Sequence, residues 1–304
     1  VHNDKRIAKM DKSLGDGMRV AILAYDGCVA SGVRGFGDVL AVANHVLDDE
    51  HFQTSVLSLD GNEVACFSGP SINVDGAIGD PVGDDESWDL VYIPPAIGFT
   101  EPDQTLVEWL AGMYFSGAVV CAACAGVFYL AATDMLEGRE ATTHWGLVEQ
   151  FRKKFPNVPL RPERMLVDGG NYICAGGLTA YFDLALHVVT RFVSGETAAE
   201  CARILLIDPG RVHQTPYMSL IGPMNHKDDV VRQSQQWLEE HHTRPLSLVE
   251  LAEAVHTGER TLLRRFKKVT GMTPSGYLQA LRVEHAKRLL ESSNDSVDEI
   301  VEQV

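Results

Sequence analysis

Cys124 stands in the run Cys121-Ala122-Ala123-Cys124-Ala125-Gly126, directly after an apolar stretch and ahead of a helical pattern. Small residues two before and two after a nucleophile suit a sharp strand-to-helix elbow, where the backbone turns too tightly for larger side chains. A thiol there lies at a helix N-terminus, where backbone N–H groups and the helix dipole favour the thiolate. The same run also fits an inert core cysteine, since Cys packs as a small apolar residue. His144, in Thr142-Thr143-His144-Trp145, is the residue type that activates a thiol, and equally one that starts a helix. Cys121 and Cys124 form one isolated C-x-x-C, which lacks the second pair a zinc site needs. No metal site and no cofactor are expected.

A second group of reactive-looking residues lies near the other end. Arg260, Arg264, Arg265, Lys267 and Lys268 crowd into nine residues that hold no acid. Leu262 and Phe266, four apart, would bury one face of a helix there and leave the cations outside. A helix lying in a DNA major groove needs long donors at its exposed positions, some for base edges and some for phosphates. Arg260 and Arg264, with Leu263 between them, share one face and are the base-reading candidates. Arg265, Lys267 and Lys268 suit phosphates. A solvated basic face is the plainer alternative.

The elements that must position these groups form two series. Residues 18–24, 54–59, 89–93, 118–122 and 171–174 read as short apolar strands. Helical patterns at 33–47, 101–115, 125–136 and 178–193 alternate with them. That alternation predicts an α/β doubly wound parallel sheet with helices on both faces, and strands buried on both sides explain the near-continuous apolar runs. Residues 207–227, punctuated by Pro209, Gly210, Pro216, Gly222 and Pro223, read as a linker. From 228 onward the patterns are all short helices: 229–241, 248–255, 260–270, 275–290 and 297–304. The pair 248–255 and 260–270, joined by His256-Thr257-Gly258, fits a helix-turn-helix.

Composition agrees with two jobs in one chain. The 304 residues suggest about two domains. Apolar residues at 45% and charged residues at 22% exclude wholesale disorder. The net charge is −16, yet it is uneven: residues 1–226 hold 15 basic and 29 acidic side chains, and residues 244–290 hold nine basic and four acidic. The longest apolar run, 117–132, falls short of the roughly 20 residues of a membrane span. The extension 1–17 has no apolar signal core. Six Cys, several inside apolar runs, suit a reducing cytoplasm. His241-His242 reads as a favourable helix C-terminus, Asp84-Asp85-Glu86 as a solvated loop, and Gly15-x-Gly17 as too short for a phosphate loop.

Two family resemblances rest on these motifs. Arg260-x-Leu262-x-Arg264-x-Phe266, followed by Gly271-x-x-Pro274-x-x-Tyr277-Leu278-x-x-x-Arg282-x-x-x-Ala286-x-x-Leu289-Leu290, resembles the DNA-binding domain of AraC-family regulators. That family carries two helix-turn-helix units joined by a long helix, here 275–290. Residues 296–304 would begin the second unit, whose recognition helix is not in this sequence. Residues 18–206 resemble the ThiJ/PfpI group of the flavodoxin-like, class I glutamine amidotransferase-like fold, most strongly the sensor domains of GlxA-type AraC regulators. The matching residues are the Cys124 elbow, Gly138-Arg139-x-Ala141-Thr142-Thr143-His144-Trp145, and Gly176-Gly177-Leu178-Thr179-Ala180-x-x-Asp183-Leu184-Ala185-Leu186.

Catalytic relatives place an acid after the first strand and a Gly-Gly turn after the third. Here those positions read Gly32 and Pro94-Pro95, and proline has no N–H to offer an anion. The resemblance therefore implies a sensor domain (18–206) that binds and does not catalyse, a linker (207–227), and a smaller all-α helix-turn-helix domain (228–304). It implies a DNA operator as partner, a small-molecule inducer of the amine or amino-acid-derivative kind, and a homodimer. Cys124, His144 and Trp145 are the candidate pocket. Two alternatives stand beside it: a cysteine-dependent enzyme of amidase, hydrolase or glyoxalase type, and a thiol redox sensor, each fused to a DNA-binding module.

Overall fold

A computed structural model describes residues 17–80, 88–97, 101–218 and 226–304. The loop at 84–86 and Gly15 lie outside the described residues. The chain forms two compact units that meet between Pro216 and Tyr217.

The first unit is built on a seven-stranded sheet. Its strands are β1 (Met18–Leu23), β2 (Phe52–Ser58), β5 (Gly76–Ala77), β6 (Leu90–Ile93), β7 (Val119–Ala123), β8 (Leu166–Asp168) and β9 (Tyr172–Ala175), in the order β5-β2-β1-β6-β7-β9-β8. Every pairing is parallel except β8 with β9, which is antiparallel and closes one edge. A separate two-stranded ribbon pairs β3 (Val64–Ala65) with β4 (Ser71–Ile72).

Side-chain alternation along β1 divides the core. Val20 and Ile22 face α1 (Ala30–Leu47), α5 (Tyr181–Phe192) and α6 (Gly195–Leu205). Ala21 and Leu23 face the layer of α2 (Gln104–Ser116), α3 (Val127–Ala132) and α4 (Val148–Lys154). In α1 the buried residues Val33, Phe36, Val39, Leu40 and Ala43 recur at helical spacing, and Asp48 ends the helix in the left-handed region at φ 51°. Both faces of the sheet are thus covered, as an α/β parallel sheet requires.

The second unit contains α7 (Asp229–Glu240), α8 (Leu248–Ala254), α9 (Glu259–Thr270), α10 (Pro274–Ser292) and α11 (Val297–Gln303). Its core gathers Val231 and Leu238 from α7, Leu251 and Ala252 from α8, Leu262 and Phe266 from α9, and Tyr277, Leu278 and Leu281 from α10. Leu262 and Phe266 are fully buried, so the stripe expected on α9 is the one that packs. Among the described residues no helix is long and apolar enough to cross a membrane.

Candidate ligand site and DNA-reading helix

The chain turns sharply at the end of β7. Ala123 is extended, Cys124 is left-handed at φ 56°, and a single 3-10 turn over Cys124–Gly126 leads into α3. Gly126 passes close over the end of β6: a Cβ there would lie 2.7 Å from the Pro94 carbonyl oxygen and 2.8 Å from that of Ile93. Only glycine fits, which is the physical basis of the small-residue pattern. The Thr143 hydroxyl donates to the Cys124 carbonyl oxygen at 2.6 Å and fixes the turn from the far side.

The thiol on this elbow is not activated. Cys124 is 4% exposed. Burial pushes its pKa up to about 11, against a smaller opposing effect of the Ala125 backbone hydrogen bond. Desolvation of the thiolate therefore outweighs stabilisation by the turn. Cys121, within β7, is likewise buried and raised by burial, so the C-x-x-C holds two protonated core thiols.

His144 serves as a turn cap. Its Nδ1 accepts the Gly146 N–H at 3.0 Å, capping the turn at Trp145–Leu147, and its ring stacks on Trp145 at 5.2 Å. Burial lowers its pKa, which keeps that acceptor neutral. Of the two roles the sequence left open, the structure shows the cap. Trp145 is half-buried, and its backbone N–H donates to the Gln214 side-chain oxygen at 3.2 Å.

Gln214 lies in the segment expected to be linker, yet it is 2% exposed and built into this site. Its Nε2 faces the Thr143 carbonyl at 2.9 Å, the Pro162 carbonyl at 3.0 Å, and the Thr142 hydroxyl and Arg164 carbonyl at 3.1 Å each. Gly176 makes room for it, since a Cβ there would lie 1.9 Å from Nε2. The flanking backbone joins in: Met165 N–H donates to Val212 and Gln214 N–H to Glu163, both at 2.9 Å. Arg211 pairs with the buried Asp183 carboxylate. Residues 211–214 are thus a strap along the first unit. A lone Gln between His213 and Thr215 carries no local signal of this.

Where catalytic relatives would carry an acid, the space is filled. Gly32 lies on α1, and a Cβ there would stand 2.6 Å from Pro95 Cδ. The Pro94-Pro95 turn presents acceptors: the Tyr25 hydroxyl donates to the Pro94 carbonyl at 2.6 Å, and the Val29 N–H donates to that of Pro95 at 2.9 Å. Carbonyl oxygens are the wrong polarity for an oxyanion.

A cavity of about 340 Å³ opens beside the elbow, over the carboxyl ends of β1 and β2. Its walls include Tyr25 and Tyr129, with ring centroids 4.9 Å apart, and the carboxylates Asp26, Asp60, Glu63 and Asp103. Its described lining contains no Lys or Arg, and none of Cys124, His144 and Trp145. Carboxyl ends of parallel strands are the usual place for a ligand in this architecture. Tyr25-Asp26, directly after the first strand, was a legible pointer to it.

On α9, Arg260, Leu263, Arg264, Lys267 and Lys268 are exposed, and none of the four cations is ion-paired to a described residue. Arg265, expected as a phosphate contact, differs from these four in being ion-paired. Its guanidinium is held by the Asp228 carboxylate, Nε to Oδ2 at 3.0 Å and Nη2 to Oδ1 at 2.7 Å.

Fold and site together define a DJ-1-like sensor-type domain with an elbow cysteine, followed in the same chain by a helix-turn-helix unit. Comparison with known proteins agrees: the DJ-1/PfpI family model matches residues 18–191, and a helix-turn-helix domain model matches residues 251–304. The chain belongs to the DJ-1/PfpI family, within the group of HTH-type transcriptional regulators that join this domain to an AraC-type helix-turn-helix. It is 31% identical over 266 residues to the HTH-type transcriptional regulator CdhR of Pseudomonas aeruginosa, spanning 85% of this chain and 76% of that one. The regulator GlxA of Rhizobium meliloti is 25% identical over 272 residues, 86% of this chain and 80% of its own. The crystal structure of an AraC family transcriptional regulator from Pseudomonas putida superposes with a TM-score of 0.56 at 19% identity, covering 62% of this chain and 99% of that one. That likeness shows the fold of the first unit.

Proposed function

We propose that this protein is a ligand-responsive, sequence-specific transcription regulator of the cytoplasm, whose first unit binds a small molecule without turning it over. The observation that carries the non-catalytic reading is the packing of Gly32 against Pro95, which leaves no room for the acid of catalytic relatives. The buried, protonated Cys124 and the committed His144 nitrogen support it.

The inducer is a small cationic amine or amino-acid derivative held in the cavity beside the elbow. Carboxylates on its rim attract the cation, and the Tyr25 and Tyr129 rings offer π-faces, together worth about 0.5–2 kcal/mol per cation–π contact. Cys124, His144 and Trp145, the pocket expected from the sequence, lie outside the described lining of this cavity, and Trp145 is joined to the strap through Gln214. The second unit reads an operator through α9, and two copies pair so that tethering raises the local concentration of the second DNA contact.

A thermal-shift screen of amines and amino-acid derivatives on the full chain tests this. A cationic ligand is expected to raise the melting temperature of the wild type and not of Asp26→Asn/Glu63→Gln. Amidase, hydratase or glyoxalase turnover that disappears in Cys124→Ser would overturn the non-catalytic reading. Light scattering at micromolar concentration giving a mass of one 33.3 kDa chain would overturn the dimer.

A further inference from the structure

The chain enters α7 through His226, Lys227 and Asp228, and the last of these does two things at once. Asp228 caps α7 by accepting the Val231 N–H at 3.1 Å. Its two carboxylate oxygens also receive Nε and Nη2 of Arg265 on α9, 37 residues away, at 3.0 and 2.7 Å. Two parallel bonds between a planar fork and a carboxylate fix orientation as well as distance, which separates this pair from an ordinary surface ion pair.

The position of Arg265 on the helix says what that fixation does. Successive residues are about 100° apart around a helix. Leu262 and Phe266 lie close together and form the buried stripe. Leu263 lies on one flank, and Arg260, Arg264, Lys267 and Lys268 spread over the half opposite the stripe. Arg265 falls on the flank between the two, about 100° from Phe266 and about 100° from Arg264. A helix seated by one narrow stripe can roll about its axis. A tether on its flank, anchored to the start of another helix, stops that roll.

We propose that Arg265 is a positioning residue that touches Asp228 and not DNA, and that the pair sets the roll of α9 so that Arg260 and Arg264 face the base edges. This rests on the reading of α9 as the DNA-reading helix. It replaces the phosphate contact that the charge pattern alone suggests.

The test uses the full chain at low ionic strength with two probes: duplexes enriched by the wild type from a random pool, and a random-sequence duplex of equal length. Asp228→Asn keeps the helix cap, since Asn caps as well as Asp, while it removes the charge and turns one of the two acceptors facing Arg265 into a donor. Asp228→Asn and Arg265→Gln are each expected to reduce the preference for enriched over random duplex by about tenfold, the scale of one misplaced base contact. Random-duplex affinity and the salt slope should stay at the wild-type value. The double variant should be no worse than either single. A salt slope reduced by about one in Arg265→Gln, with Asp228→Asn like wild type, would make Arg265 a phosphate contact and overturn the proposal. Additive losses in the double variant would also overturn it. A wild type that enriches no duplex would instead overturn the reading of α9 itself, and this proposal with it.

Discussion

The Thr143 hydroxyl and the Cys124 carbonyl oxygen, 19 residues apart in sequence, meet at 2.6 Å inside the first unit. The bond holds the carbonyl of a residue that is itself in the left-handed region, where a side chain costs free energy that surrounding contacts must offset. Thr143→Val keeps the shape and leaves the buried carbonyl without its donor. The expected cost is about 1–3 kcal/mol, read as a lower melting temperature of the first unit and faster amide exchange at 123–127. Thr143→Ser should lie near wild type. A Val variant as stable as the wild type would mean the turn is held by packing alone.

The elbow thiol should be slow. With its pKa pushed up to about 11 by burial, Cys124 is almost wholly protonated at neutral pH. Against a free thiol near 8.5, alkylation by iodoacetamide at pH 7.5 should be slower by about 10²–10³-fold. His144→Ala should leave the rate unchanged. The sign for stability follows from linkage: thiols with raised folded pKa values stabilise the fold fully below the free-thiol value and lose that contribution as pH rises toward 11. Cys124 reacting as fast as a free thiol would favour the redox or enzyme alternatives.

Gln214 should tolerate alanine better than glutamate. Its Nε2 faces four oxygens, so Gln214→Glu would set a carboxylate among acceptors. Gln214→Ala leaves the Trp145 N–H and the carbonyls unpartnered, at about 1–3 kcal/mol. The glutamate variant should cost more and open 211–216 to proteolysis. A glutamate variant milder than alanine would mean that the amide is turned the other way.

Much of this was legible because burial on both faces leaves a plain mark. β6 and β7 read as strands since all their residues are apolar, β1 since all but Arg19 are, and α9 read as a helix because Leu262 and Phe266 recur at the right spacing. The short strands β3, β4 and β5 were not legible, being two residues each. Helix α6 was missed because it buries small residues, Ala198, Cys201 and Ala202, against α1 and α5 and shows no large apolar stripe. At the site, the Cys124 elbow and the Thr142–Trp145 segment were marked by local pattern. Gln214 and Asp228 were not, because their roles depend on partners at Thr143 and Arg265, tens of residues away. The charge run that suggested five DNA contacts could not show that one of its cations was already paired.

The second unit should weaken in mild acid. His285 on α10 stacks on His242 at 3.9 Å, and its Nε2 is buried without a hydrogen-bond partner among the described residues. Burial, then His242 and Arg288, hold its pKa below the ordinary value, against an opposing effect of Glu239. The unfolded chain therefore takes up a proton near pH 6.5 that the folded unit refuses. Stability contributed by the neutral ring is present above that pH and is lost as pH falls toward the folded value. Melting of the second unit should drop between pH 7.5 and 5.5, and His285→Gln should flatten that dependence. An unchanged slope in the variant would place the titration elsewhere.

Arg264 and Lys268 should fail in different ways. They lie one turn apart on the exposed half of α9, both free of ion pairs with described residues. Arg264 neighbours Arg260 on the face opposite Leu262 and Phe266, where a guanidinium can bind a guanine edge bidentately, at about 1–3 kcal/mol of discrimination. Lys268 lies nearer the helix end, and an ammonium is a point charge suited to a phosphate. A phosphate contact adds affinity for every sequence and about one unit to the salt slope, with little discrimination. Arg264→Ala should therefore flatten the preference at one or two base positions and leave the random-duplex affinity nearly intact. Lys268→Ala should weaken all duplexes alike and lower the salt slope by about one. Competitive selection from a random pool, followed by titration at several salt concentrations, separates the two. If Arg264→Ala lowers affinity uniformly with base preferences unchanged, its guanidinium is on the backbone, and the division of roles along α9 is wrong.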